Sequence, residues 1–195
     1  MKAVETVRFR VLDVLNSGIW YPCRSGQAPI NNFLVIGPAS PKIIDEGIQL
    51  AMKQYALIPH FPDSKDMSKV EYVKDEKKTE LTFITIEASD VMNEGLMSSL
   101  SFNGEGPIEI ESDPKTDVEN AENKLGFGVL YIRNVTAQSS FPSNFLYNLS
   151  KHHMYNNKAI SSKWLIILGF SDKAANLRDL RIDGGQYVNM NNVED

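Results

Sequence analysis

The chain has 195 residues, 42% of them apolar and 23% charged, enough for a substantial core and too apolar for a disordered or collagen-like chain. Twenty Lys and Arg against twenty-five Asp and Glu leave a formal charge of -5, so no global positive field draws the chain to nucleic acid or to an anionic membrane. No apolar run approaches the roughly 18 residues of a membrane span, the single cysteine, Cys23, excludes an internal disulfide, and the start MKAVETVRFRVL lacks a signal peptide's apolar stretch; a cytoplasmic protein is expected.

Residues 3–17 set Val4, Val7, Val11, Val14 and Leu15 on one stripe, which predicts an amphipathic helix stopping at Gly18. The proline- and glycine-bearing stretch to Asn32 reads as a loop, and Phe33-Leu34-Val35-Ile36, ended by Gly37-Pro38, as a strand buried on both faces. Ser40 is placed to cap a helix with Pro41 in its first turn and Ile44, Ile48, Ala51 and Tyr55 at helical spacing. Residues 58–80 are polar and predict an exposed loop with a small hairpin near Val70–Val73.

Leu81–Ile86 is a six-residue β-branched run and a second buried strand. From Ala88 to Asp117 the pattern is irregular: a weak helix over 91–100, a turn at NGEGP and an alternating strand over 108–111. Gly126–Val135 predicts a third buried strand, Pro142–Met154 a helix and Trp164–Leu168 a fourth strand. Asp183-Gly184-Gly185 reads as a tight turn and the Asn-rich end as frayed. Helices alternating with nearly continuous apolar strands require crossovers, so the expected class is α/β, a parallel sheet with helices on both faces in one domain over 1–195.

Three other groupings attract notice. His60 with the adjacent His152-His153 lacks metal-ligand spacing, and a surface pair is the better reading. The acidic set Glu105, Glu109, Glu111, Asp113 and Asp117 lacks the order of a calcium loop and reads as a solvated segment. Cys23 has no histidine motif beside it to make a nucleophile, and the sequons at Asn134 and Asn148 carry no weight without a secretion signal. Neither a metal nor a cofactor is expected.

The segment GVLYIRNVTAQSSFPSNFLYNLSKHHMYNN followed by SSKWLIILGFSDKAANLRDL resembles the Walker B strand, its helix and the sensor 1 strand of MoxR-type AAA+ ATPases. NNFLVIGPASPKIIDEGIQLA is similar to the Walker A strand and helix, and TFITIEASDVMNEGL to the second strand. The resemblance covers roughly residues 5–183 and implies a P-loop NTPase-like three-layer core with strand order 5-1-4-3-2. Ten residues follow Gly185, so the family's helical lid is not expected.

A Walker A loop needs glycines whose amides wrap phosphate, a lysine for the β- and γ-phosphates and a hydroxyl for Mg²⁺. Here Gly37 holds the first position, but Lys42 stands at the second glycine, Ile43 at the lysine and Ile44 at the hydroxyl. Pro41 removes an amide from the helix start, and Asp45 and Glu46 add negative charge. Arg133 and Asn134 stand where the Walker B Asp and Glu belong, and Ser171 stands near the sensor position. Arg178 and Arg181 lie where active subunits supply an arginine to a neighbour's nucleotide.

The resemblance therefore implies a non-enzymatic AAA+-like protein, a pseudo-ATPase acting as a binding, structural or regulatory subunit. Its partners would be proteins in a homo- or hetero-oligomer, either beside an active ATPase or within a viral particle. The competing expectation is an α/β ligand-binding domain or enzyme of another lineage with its site near residues 37–42, at the C-terminal ends of the strands.

Overall fold

The computed structural model describes residues 2–62, 66, 68–78, 81–93, 127–172 and 181–193. Helix α1 (Ala3–Asp13) runs into a π-helical stretch (Val14–Trp20) and a short α2 (Tyr21–Arg24). Then come β1 (Phe33–Gly37), α3 (Pro41–Tyr55), β2 (Leu57–His60), β3 (Glu71–Lys74) and β4 (Thr82–Glu87). A 3-10 turn (Ala88–Asp90), β5 (Gly128–Val135), α4 (Phe145–Lys151), β6 (Met154–Tyr155), β7 (Lys158–Ala159), β8 (Trp164–Phe170) and β9 (Gln186–Asn189) complete the described elements.

Five strands form one sheet in the order β4-β5-β8-β1-β9, and every neighbouring pair is parallel. The expected α/β class and parallel sheet are what the chain forms. Strands β1 and β8 are buried along their whole length and β5 along most of it, whereas β4 and β9 are partly exposed, as their edge positions require. Side chains alternate between two cores. Leu34, Ile36, Val129, Tyr131, Leu165 and Ile167 pack against α1 and α3, while Phe33, Val35, Leu130, Ile132, Ile166 and Leu168 pack against α4. Successive residues of a strand point to opposite faces, so helices on both faces leave no polar side, and the strands read as unbroken apolar runs.

Several expectations need correction. Gly18 does not stop the first helix, which continues through the π-helical stretch to Arg24. A side chain at Gly18 would sit 2.7 Å from the Asn31 carbonyl oxygen, so the glycine serves close approach of the returning chain, and its own carbonyl accepts from the Ile30 amide at 2.8 Å. Pro22, which has no amide to give the preceding turn, follows directly on the widened helix.

The 58–80 segment is not a solvated loop throughout. Strands β2 and β3 pair antiparallel, and beyond them Asp75 and Lys78 are buried. The helix expected over 142–154 is confined to Phe145–Lys151, because the chain then turns through His153, at positive φ, into the β6–β7 hairpin. The Asn-rich end is held down as far as residue 193: Met190 is buried and Val193 packs on the α1–α3 core. The helix over 91–100, the NGEGP turn, the strand over 108–111 and the acidic set from Glu105 to Asp117 lie outside the described residues.

Candidate functional site

In a parallel sheet all strands end on the same side, so β1, β4, β5 and β8 deliver their last residues together. At the end of β1, Gly37 has φ 147 and precedes a cis peptide to Pro38. A side chain there would lie 2.5 Å from the Phe170 carbonyl oxygen, which excludes any other residue. That Phe170 carbonyl accepts from the Ala39 amide at 3.0 Å, and the Gly37 carbonyl accepts from the Met190 amide at 3.1 Å and the Tyr187 hydroxyl at 3.0 Å. The turn after β1 is thus tied down on both sides.

Ser40 caps α3 as expected, its Oγ accepting from the Ile43 amide at 3.4 Å, while its carbonyl accepts from the amides of Ile43 and Ile44. Those amides are the ones a phosphate would need. Ile44 is buried in the α1–α3 core and Ile43 packs against it, so both positions contribute apolar contact. Lys42 is exposed and lines a surface groove of about 420 Å³ between the starts of α1 and α3, with Lys2, Glu5 and Glu46.

Arg133, at the end of β5, makes two ion pairs. Its Nη2 lies 2.8 Å from Asp45 Oδ2 on α3, and its Nη1 lies 2.7 Å from Glu87 Oε1 at the end of β4. Burial opposes the guanidinium charge, but Asp45 and Glu87 outweigh it and hold the arginine above its usual pKa. Two residues earlier on β5, and so on the same face of the strand, Tyr131 projects into the same space from the core, its hydroxyl pushed up by burial and by the Asp45 charge. Asp45 Oδ1, Tyr131 Oη and Arg133 Nε are buried there without a hydrogen-bond partner.

Asn134 adopts a left-handed conformation, φ 58, at an irregularity in the β5–β8 register. Its Oδ1 accepts from Ser171 Oγ at 2.8 Å, and the Ser171 amide donates to the Val135 carbonyl at 3.0 Å, closing the end of β5 against that of β8. The structure thus gathers Gly37, Arg133, Asn134 and Ser171 at one end of the sheet, with Ile43 and Ile44 turned into the core. Arg181 is exposed, away from this group, lining a hollow of about 440 Å³ with Asn144, Tyr147 and Asp183; Arg178 lies outside the described residues.

Sequence reasoning missed Glu87 and misjudged Asp45, which serves as a partner for Arg133 and not only as a deterrent to phosphate. Of the expected surface pair His152 is exposed, but His153 is half-buried: its Nδ1 donates to the Ile160 carbonyl at 3.1 Å, and burial holds its pKa down. Burial also pushes the Cys23 thiol up, which disfavours a thiolate. Among the described residues no three His, Cys, Asp or Glu side chains converge as metal ligands, and no helix is long and apolar enough to cross a membrane.

The elements and their order define a five-stranded parallel α/β fold whose strand ends are closed by internal side-chain bonds. No family model, curated protein or solved structure matches the chain.

Proposed function

We propose that the chain is a degenerate AAA+-like P-loop core that neither binds nor hydrolyses nucleotide and serves as a structural or regulatory subunit in a larger protein assembly. The observation that carries the reading is the pair of Arg133 ion pairs, to Asp45 at 2.8 Å and to Glu87 at 2.7 Å. A nucleotide-binding core holds Mg²⁺ with a carboxylate at the end of this strand and phosphate at the start of this helix. In this chain a guanidinium paired with two carboxylates, a group of net charge -1, joins the same strand end to the same helix.

Strand order supports the reading. Counting the main-sheet strands in chain order as one to five, β1, β4, β5, β8 and β9, the observed succession is 2-3-4-1-5, which read from the other edge is the order the resemblance implies. The capping of α3 supports it too, since Ser40 already occupies the amides of the first turn. Isothermal calorimetry of the full chain with Mg²⁺ and ATP or ADP tests the reading. No saturable heat and no phosphate release are expected; micromolar affinity, with or without turnover, overturns it.

A further inference from the structure

Strands β2 and β3 form a two-stranded ribbon apart from the main sheet, and Leu57, Ile58, Val70, Tyr72 and Val73 on it each leave more than a third of their surface in solvent. A two-stranded ribbon is marginal alone, and an exposed apolar edge invites another strand. Its base is fixed: the Asp75 amide donates to the Ala56 carbonyl at 2.8 Å, and Lys78 Nζ donates to the Tyr55 carbonyl and to Asn16 Oδ1, both at 2.8 Å.

The ladder decides which edge is open. Pro59 lies opposite Tyr72 and has no amide hydrogen, so this pair cannot exchange hydrogen bonds. The Asp75-to-Ala56 bond frames the Leu57–Lys74 pair in the same way. The amides and carbonyls of Tyr72 and Lys74 therefore point away from β2, toward the outer edge of β3, which pairs with no other strand among the described residues. Pro59 blunts the opposite edge of the ribbon.

From this edge we infer that β3 pairs antiparallel with β3 of a second copy of the chain, joining two ribbons into one four-stranded sheet. A two-fold axis through such a pair keeps the faces of the sheet, so one residue must lie opposite itself. Centring on Glu71 or on Lys74 sets like charges face to face, and centring on Val73 sets Glu71 against Asp75. Of the four registers centred on a residue of β3 itself, the Tyr72-centred one alone avoids this: Tyr72 meets Tyr72, Glu71 meets Val73, Val70 meets Lys74, and Lys69 comes opposite Asp75 of the other copy. In that register the outward amides and carbonyls of Tyr72 bond their own counterparts, and the exposed apolar side chains of both ribbons become contiguous.

The inference deepens the assembly reading by naming one partner, yet the two fail separately, because dimerisation does not depend on whether nucleotide binds. Sedimentation of the full chain over a concentration series tests it. A reversible dimer is expected, abolished by Tyr72→Pro, which removes an outward amide and leaves the β2 pairing intact. Glu71→Gln removes the diagonal approach of the two Glu71 carboxylates and is expected to tighten the dimer about twofold to fivefold. Should Tyr72→Pro fail to fold, hydrogen exchange of the native chain reads the same edge: Tyr72 and Lys74 amides gain protection with concentration, whereas Val73 is protected throughout. A chain that stays monomeric to about 1 mM, or a dimer that survives Tyr72→Pro or shows no added protection at Tyr72, overturns the inference.

Discussion

Arg133 and Asp45 stand 88 residues apart in sequence and 2.8 Å apart in space, so a single bond joins the end of a central strand to the second turn of the helix packed on it. Glu87 shares the same guanidinium, and all three side chains are about one-third exposed. Solvent-screened pairs of this kind are worth little singly and more when one arginine bridges two carboxylates. Arg133→Leu is expected to lower the unfolding free energy by about 1–2 kcal/mol, since it also strands two carboxylates beside Tyr131. A urea midpoint unchanged by the substitution would show that the bridge contributes nothing.

The conformation of Asn134 sets a second test. At φ 58, asparagine is tolerated and a β-branched residue is not. Asn134→Val should cost about 1–3 kcal/mol, combining backbone strain with loss of the Ser171 bond. Asn134→Gly should cost about 1 kcal/mol or less, because it relieves the strain while losing the same bond. Chemical denaturation of the two variants separates the two contributions.

Lys78 offers a third. Its ammonium is buried, bonded to the Tyr55 carbonyl and to Asn16, and lies 4.4 Å from the centre of the Tyr55 ring. Burial pulls its pKa down and the Asp75 charge works against that shift. Lys78→Met keeps the stem but leaves both acceptors unpaired, an expected loss of about 1–3 kcal/mol. Faster hydrogen exchange at the Asp75 amide, at the foot of the β2–β3 ribbon, should accompany it.

The fourth concerns pH. Burial depresses the pKa of His153 in the folded chain, while the Ile160, Asn32 and Trp164 backbone contacts oppose the shift. The folded state therefore favours the neutral ring. Stability from this group is complete above the ordinary histidine pKa of about 6.5 and is lost as pH falls through that value toward the lower folded one. His153→Asn, which accepts positive φ and does not titrate, should flatten the urea midpoint between about pH 7 and pH 5 relative to the parent. A parent midpoint no steeper than the variant's would rule the effect out.

How far the sequence discloses this fold depends on how local each signal is. The runs FLVI, GVLYI and WLIIL announce buried strands because both faces of β1, β5 and β8 are covered, and Ser40-Pro41 announces the start of α3 because capping is a three-residue affair. Gly18 and Pro22 misled, since each is a stop signal in an ordinary helix, and the contact that explains Gly18, with Asn31, forms only when the loop folds back. The β6–β7 hairpin turns through Asn156-Asn157, between Tyr155 and Lys158, but the apolar spacing of the preceding helix runs on to Met154 and masks it in the sequence.

The strand-end group was half legible. Arg133, Asn134 and Ser171 stand out by comparison with a working nucleotide site, yet their partners are set by tertiary packing. Glu87 is 46 residues from Arg133, and nothing in its local sequence distinguishes it from other surface glutamates. The buried charge of Lys78 was hidden in a run, DEKK, whose two middle members, Glu76 and Lys77, are exposed, and only the position of Asn16 on the π-helical stretch and of the Tyr55 carbonyl reveals it.

Helix α3 is clamped at both ends by side chains from elsewhere: Arg133 grips its second turn through Asp45, and Lys78 grips its last turn through the Tyr55 carbonyl. Two anchors ten residues apart along the helix, at Asp45 and Tyr55, oppose both its sliding along its axis and its fraying from either end. Its middle amides, around Ile48 and Ala51, should open to solvent only when the whole chain unfolds, and their exchange rates then report global stability.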